Sequence, residues 1–195
     1  MKNLLIIGKD STICQHLLPK IKCPYTAFTK KEFDVTDHGK IQNFNFAPYT
    51  MVINFAGHSR GTFRGPLENT WNNQLDQIMV NFAANILITK TYCQQKPNGS
   101  YMWFSSVSTK SCRPYQYVYA GSKLASEYAL TAFNQEYKNF KIITMTLGRV
   151  VTNHLFNTFE GTRSPQECVE EYKKSPHKYP EEIADTIAQR IEAEI

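Results

Sequence analysis

Nowhere does the sequence hold the ~18 consecutive apolar residues of a membrane-spanning helix. Its N-terminal apolar run breaks at Gly8-Lys9-Asp10, which is too early and wrongly flanked for a secretory leader. Basic residues never stand more than two in a row despite a net charge of +5, so no polycationic arm for nucleic acid is expected. The 5 cysteines include no C-x-x-C pair and no Cys/His spacing of a metal site. They read as reduced thiols without a disulfide framework, and the expectation is a soluble, cytoplasmic protein with no metal and no membrane partner. Glycine is also scarce: after Gly8 the next is Gly39, so no glycine-rich phosphate fingerprint follows the first apolar run.

What remains is an ordinary globular composition. The 195 residues are 42% hydrophobic and 20% charged, enough for one domain spanning 1–195 with a real core. Short apolar runs alternate with longer helical patterns, which predicts a doubly wound, Rossmann-like parallel sheet in a three-layer αβα arrangement. Strands are expected over 3–7, Tyr25–Phe28, Met51–Asn54, 101–105 and 140–147. Helices are expected through Ile13, Leu17 and Leu18, over about 70–95, over about 118–137 and over 180–195. The last of these opens with Pro180, Glu181 and Glu182, as a helix N-terminus should.

Chemistry is suggested first by Tyr-x-x-x-Lys. Four residues apart on a helix, the two side chains share a face, and a nearby ammonium lowers a phenol's pKa by roughly 1–3 units. The spacing is cheap, since about one such pair is expected by chance. Three occur: Tyr92/Lys96, Tyr119/Lys123 and Tyr137/Lys141. Only Tyr119 follows a strand that ends in Ser105-Ser106, and the carboxyl end of a strand is where a doubly wound sheet builds its site. Ser106 would hold a substrate carbonyl while Tyr119 protonates it.

Taken together these segments resemble the short-chain dehydrogenase/reductase family, over residues 3 to about 190. Ser106 stands thirteen residues before Tyr119, as the family's serine does, and Val118-Tyr119-Ala120-Gly121-Ser122-Lys123 is similar to its Y-x-[AG]-S-K stretch. Asn81 in Met79-Val80-Asn81-Phe82 matches the family's asparagine in the central helix. Asn54-Phe55-Ala56-Gly57 resembles N-N-A-G, and Asp34-Val35-Thr36-Asp37 resembles D-V-T-D, whose Asp and Val flank adenine. Gly148-Arg149-Val150-Val151-Thr152 resembles P-G-x-V-x-T, whose Thr contacts the nicotinamide carboxamide.

The resemblance implies hydride transfer between NAD(P)H and a small carbonyl or alcohol substrate. Tyr119 would act as acid/base, Lys123 would lower the Tyr119 pKa and hold the nicotinamide ribose, Ser106 would orient the substrate, and Asn81 would support a water leading to Lys123. Cofactor contacts are expected from Gly8, Ser11, Thr12, Ile13, Thr29, Lys30, Asp34, Val35, Asn54, Ala56, Gly57, Tyr119, Lys123, Val150 and Thr152. The family's second and third glycines are replaced by Thr12 and Cys14, where Ser11 or Thr12 would offer hydroxyls instead. The second strand ends Phe28-Thr29-Lys30-Lys31 with no acidic residue for a ribose 2′-OH, so Lys30 facing a 2′-phosphate favours NADP over NAD. The usual seventh strand is not expected, and a homodimer through the helices around 70–95 and 118–137 is. A polar lid over 153–179 would offer Phe156 and Phe159 to the substrate. A non-catalytic dinucleotide-binding sensor or interaction protein of the same fold stays open beside the oxidoreductase.

Overall fold

A computed structural model describes residues 2–60, 69–111, 115–152, 164, 166–167, 170 and 176–195. Phe156, Phe159 and most of the expected lid lie outside the described residues.

Five strands form one sheet: β1 (Leu4–Ile7), β2 (Tyr25–Phe28), β3 (Met51–Asn54), β4 (Ser100–Ser106) and β5 (Lys141–Leu147). Their order is β2-β1-β3-β4-β5, with every pairing parallel. The chain leaves β1 in one direction to make β2, then returns past β1 to make β3. The order therefore reverses between β1 and β3, and doubly wound sheets bind their ligands beyond the carboxyl ends of the strands at such a switch point.

Alternation along each strand explains why β1 is apolar throughout. Leu4 and Ile6 face one layer of helices, whereas Leu5 and Ile7 face the other, and all four are buried. The first layer consists of α1 (Thr12–Leu17) and α6 (Pro180–Glu194), which pack through Ile13, Leu17, Ile183 and Ile187. The second includes α2 (His38–Asn43), α4 (Ala84–Gln95) and α5 (Tyr117–Glu136), packed through Ile41, Ile88, Tyr92 and Leu130. The helix before α4, α3 (Trp71–Ile78), joins it through a π-helical turn over Met79–Ala83.

Most expected elements are present, with β4 reaching one residue further than expected at each end. The six-residue α2 was not expected. Asp37 caps it, its carboxylate accepting from the Lys40 N–H at 2.9 Å. After β5 the chain is tied to the start of α6: Val151 N–H donates to Lys178 C=O at 3.2 Å, and Lys178 N–H donates to Arg149 C=O at 2.9 Å.

Candidate active site

Parallel strands place all their carboxyl ends along one edge, so residues far apart in sequence converge there. Gly8 follows β1, Thr29 and Lys30 follow β2, Asn54–Gly57 close β3, Ser106 ends β4, and Val150 and Thr152 follow β5.

Helix α5 brings Tyr119 and Lys123 to this edge on one face. The Tyr119 hydroxyl is hydrogen-bonded to the Ser106 side chain. Ser106 Oγ also accepts the Ser108 N–H at 3.2 Å. Burial pushes the Tyr119 phenol above its ordinary value, and the Ser106 bond offsets part of that rise. The direction corrects the expected lowering by Lys123.

Lys123 is only 6% exposed, and its Nζ donates to Phe104 C=O at 2.9 Å. The ammonium lies 5.7 Å from the centre of the Trp103 ring. Desolvation pushes its pKa from 10.5 down to about 8. Its hydrogen bond goes to a neutral backbone carbonyl near the end of β4.

Asn81 is fully buried in the π-turn. Its side chain clamps the loop after β3, accepting from His58 N–H at 2.9 Å and donating to His58 C=O at 2.8 Å. Its own carbonyl accepts from Ser126 Oγ and from Asn85 Nδ2, both at 2.7 Å. With these bonds Asn81 braces the loop after β3 against α4 and α5.

Asn54 is likewise spent on structure. Its Oδ1 accepts from Ala56 N–H at 3.0 Å, and its Nδ2 donates to Asn85 Oδ1 at 3.0 Å and to Tyr101 Oη at 3.1 Å. This fixes the turn that sets Phe55 and Ala56 against Gly8. Gly8 has φ +87°, and a Cβ there would lie 2.9 Å from Ala56 N. The Ser11 side chain makes no cap hydrogen bond, and no acidic residue stands in the first turn of α1. Ser11 and Thr12 are half-buried, Ile13 is buried, and Cys14 packs in the core where the third glycine would be. A glycine held tightly against the β3 turn, beside an uncommitted hydroxyl at a helix start, fits a dinucleotide pyrophosphate.

Beyond β2 the arrangement differs from expectation. Glu32 folds back so that its carboxylate accepts from both the N–H and the hydroxyl of Thr29, each at 2.9 Å. An acidic group does therefore stand at the end of β2, and the Thr29 hydroxyl is taken. Those Thr29 bonds hold the Glu32 carboxyl below its usual range. Lys30 N–H donates to Asp10 Oδ2 at 3.3 Å, and Lys30 Nζ lies 3.8 Å from Asp34 Oδ2. Asp34 is desolvated, but the Thr36 N–H and hydroxyl, with Lys30, keep its pKa lowered. Val35 and Phe33 anchor this segment in the core. Val150 and Thr152 are both buried beyond β5.

Sequence reasoning missed Glu127, Ser105, Asn85 and Tyr101. Glu127 was within reach, since it continues the spacing of four that links Tyr119 to Lys123.

No family model matches the chain, and no curated protein sequence does. Solved structures do. ElxO with NADP bound is 20% identical, with a TM-score of 0.76 over 95% of this chain and 89% of that one. A small-chain dehydrogenase in complex with NADPH is 14% identical, with a TM-score of 0.81 over 97% and 90%. An alcohol dehydrogenase from the archaeon Thermococcus sibiricus, complexed with 5-hydroxy-NADP, is 15% identical, with a TM-score of 0.74 over 98% and 91%. At these identities the likeness speaks for architecture, and the chain has the fold of the short-chain dehydrogenases/reductases.

Proposed function

We propose that this chain is an NADP(H)-dependent oxidoreductase of the short-chain type, reducing a small carbonyl compound or oxidising the matching alcohol. The observation that carries the reading is the convergence of Ser106, Tyr119 and Lys123 at the carboxyl edge of the sheet, beside the Gly8 cradle.

Gly8, Ser11 and Thr12 would hold the pyrophosphate, Asp34 and Val35 the adenine, Lys30 a 2′-phosphate, and Lys123, Val150 and Thr152 the nicotinamide half. When bound, the cofactor supplies hydride to the carbonyl carbon. Ser106, oriented by the Ser108 N–H, hydrogen-bonds the carbonyl oxygen. Tyr119 gives that oxygen a proton, and burial keeps its phenol protonated before the carbonyl arrives. Lys123 supplies positive charge beneath the site where the phenolate forms.

Four finer readings accompany this one. The fold acts as one domain over 1–195. It works in the cytoplasm. It takes a small-molecule substrate. It pairs as a homodimer through the helices around 70–95 and 118–137, where Trp71, Leu75, Leu124 and Tyr128 are exposed. The rival, a non-catalytic dinucleotide binder, draws support from Thr12 and Cys14 in place of glycines and from the occupied Asn81 carbonyl.

Calorimetric titration with NADPH and NADH is the test. Micromolar binding that favours NADPH is expected, and Lys30→Ala should weaken NADPH by roughly 5–10-fold while leaving NADH unchanged. Equal affinities count against the 2′-phosphate contact, and no binding of either cofactor overturns the reading. Tyr119→Phe should lower carbonyl turnover by about 10²–10⁴-fold with cofactor affinity intact. Tight binding with no turnover across a carbonyl panel would favour the rival.

A further inference from the structure

One carboxylate without an assigned role is built into the turn that carries Ser106. Glu127 lies on α5, four residues beyond Lys123 and eight beyond Tyr119, so the three share a face. Its Oε1 accepts from the Ser105 hydroxyl at 2.5 Å and lies 3.3 Å from the Thr109 hydroxyl. Its Oε2 lies 3.7 Å from the Lys110 ammonium, and the side chain is 16% exposed. Thr109 shares its one proton between Glu127 and Ser106 C=O, the latter at 2.9 Å. A single side chain thus grips residues on both sides of Ser106, at the end of β4 and in the short 3-10 turn Val107–Lys110.

Neighbouring residues on a strand point to opposite faces, so pinning Ser105 sets the roll of the strand end and with it the direction of Ser106. A carboxylate–hydroxyl bond this short is strong enough to do so, and catalytic hydroxyls need sub-ångström placement.

We infer that Glu127 is a positioning residue for Ser106, holding its hydroxyl against Tyr119 through Ser105 and Thr109. The inference rests on the reading that Ser106 and Tyr119 act together. Its test needs neither cofactor nor substrate, so it fails or stands apart from that reading.

Labelling with 3-fluorotyrosine lowers phenol pKa values and gives each tyrosine a fluorine signal, and Tyr119→Phe assigns the signal of Tyr119. The Ser106 bond favours the phenolate, so losing it should raise the Tyr119 midpoint. Ser106→Ala and Glu127→Ala are each expected to raise it by roughly 0.5 unit, about threefold in ionisation constant. The double variant should go no further than Ser106→Ala alone, and Glu127→Gln, which keeps an acceptor, should recover at least half the shift. Ser105→Ala removes one hydroxyl only and should shift Tyr119 the same way even if Glu127→Ala does not fold. A brace that merely stabilises the fold would lower the thermal midpoint and leave Tyr119 titrating as in the wild type. That outcome for Ser105→Ala or Glu127→Ala overturns the inference, as does an additive double variant. These shifts in a chain that binds no NADP(H) would uphold the brace while sinking the proposed function.

Discussion

Lys123 sets its proposed catalytic role against stability within one side chain. Its ammonium is buried, and its hydrogen bond goes to a neutral carbonyl at 2.9 Å. The folded pKa of about 8 lies below the ordinary 10.5. Between those two values the unfolded chain binds more protons than the native one, so this residue makes stability rise with pH across that window. Below about pH 8 both states hold the proton, and burying the charge costs its full penalty. Lys123→Met, similar in shape and without charge, is therefore expected to stabilise the fold at pH 7 by roughly 1–3 kcal/mol while ending turnover. Urea unfolding at pH 7 and pH 10 measures both the gain and its shrinkage as pH rises. A less stable Lys123→Met would mean that the bond to Phe104 and the Trp103 ring together outweigh desolvation.

Among the connecting elements, the β1–α1 turn is where sequence and structure are most informative together. Gly8 combines φ +87° with a Cβ position 2.9 Å from Ala56 N and 3.0 Å from Phe55 C. Both neighbours are backbone held by the Asn54 turn, so neither can yield. Gly8→Ala is expected to cost about 1–3 kcal/mol and to weaken NADPH at least ~10-fold, read by urea unfolding and calorimetry. An unaffected fold would show that the β3 turn is free to retreat. This glycine was legible because a strand-to-helix turn at a sheet's switch point calls for one. Ser106, Tyr119 and Lys123 were legible because spacing and strand position coincide. The π-turn that holds Asn81 was not, because such a turn is created by packing between helices and leaves no period in the sequence. Nor was α2, whose six residues bury only Ile41 and so carry no stripe. Glu32 was overlooked for another reason: Thr29-Lys30-Lys31-Glu32 fits a T-x-x-E fold-back, but Thr29 was assigned to the cofactor instead.

At the scale of the molecule, α5 carries two unlike faces. Tyr119, Lys123 and Glu127 point towards β4 and the catalytic edge. Tyr117, Gly121, Leu124 and Tyr128 follow the same spacing of three and four on the other side, and all are exposed. Tyr128 is 81% exposed, and a Cβ on Gly121 would meet nothing within 4 Å, so another helix can approach closely there. Helix α3 packs beside α5 and adds Trp71, 66% exposed, with Leu75. Apolar residues grouped in this way on adjoining helices support the proposed homodimer through this face. Light scattering is expected to give a dimer, and Leu124→Glu with Tyr128→Glu should give a monomer by placing like charges across the seam. Because the two faces lie on different sides of the helix, the monomer should bind NADPH within about twofold of the wild type, ~0.4 kcal/mol. A wild-type monomer would remove the proposed interface. A charged variant that lost both association and cofactor would show that α5 is held in its catalytic position by the second copy rather than by β4 alone.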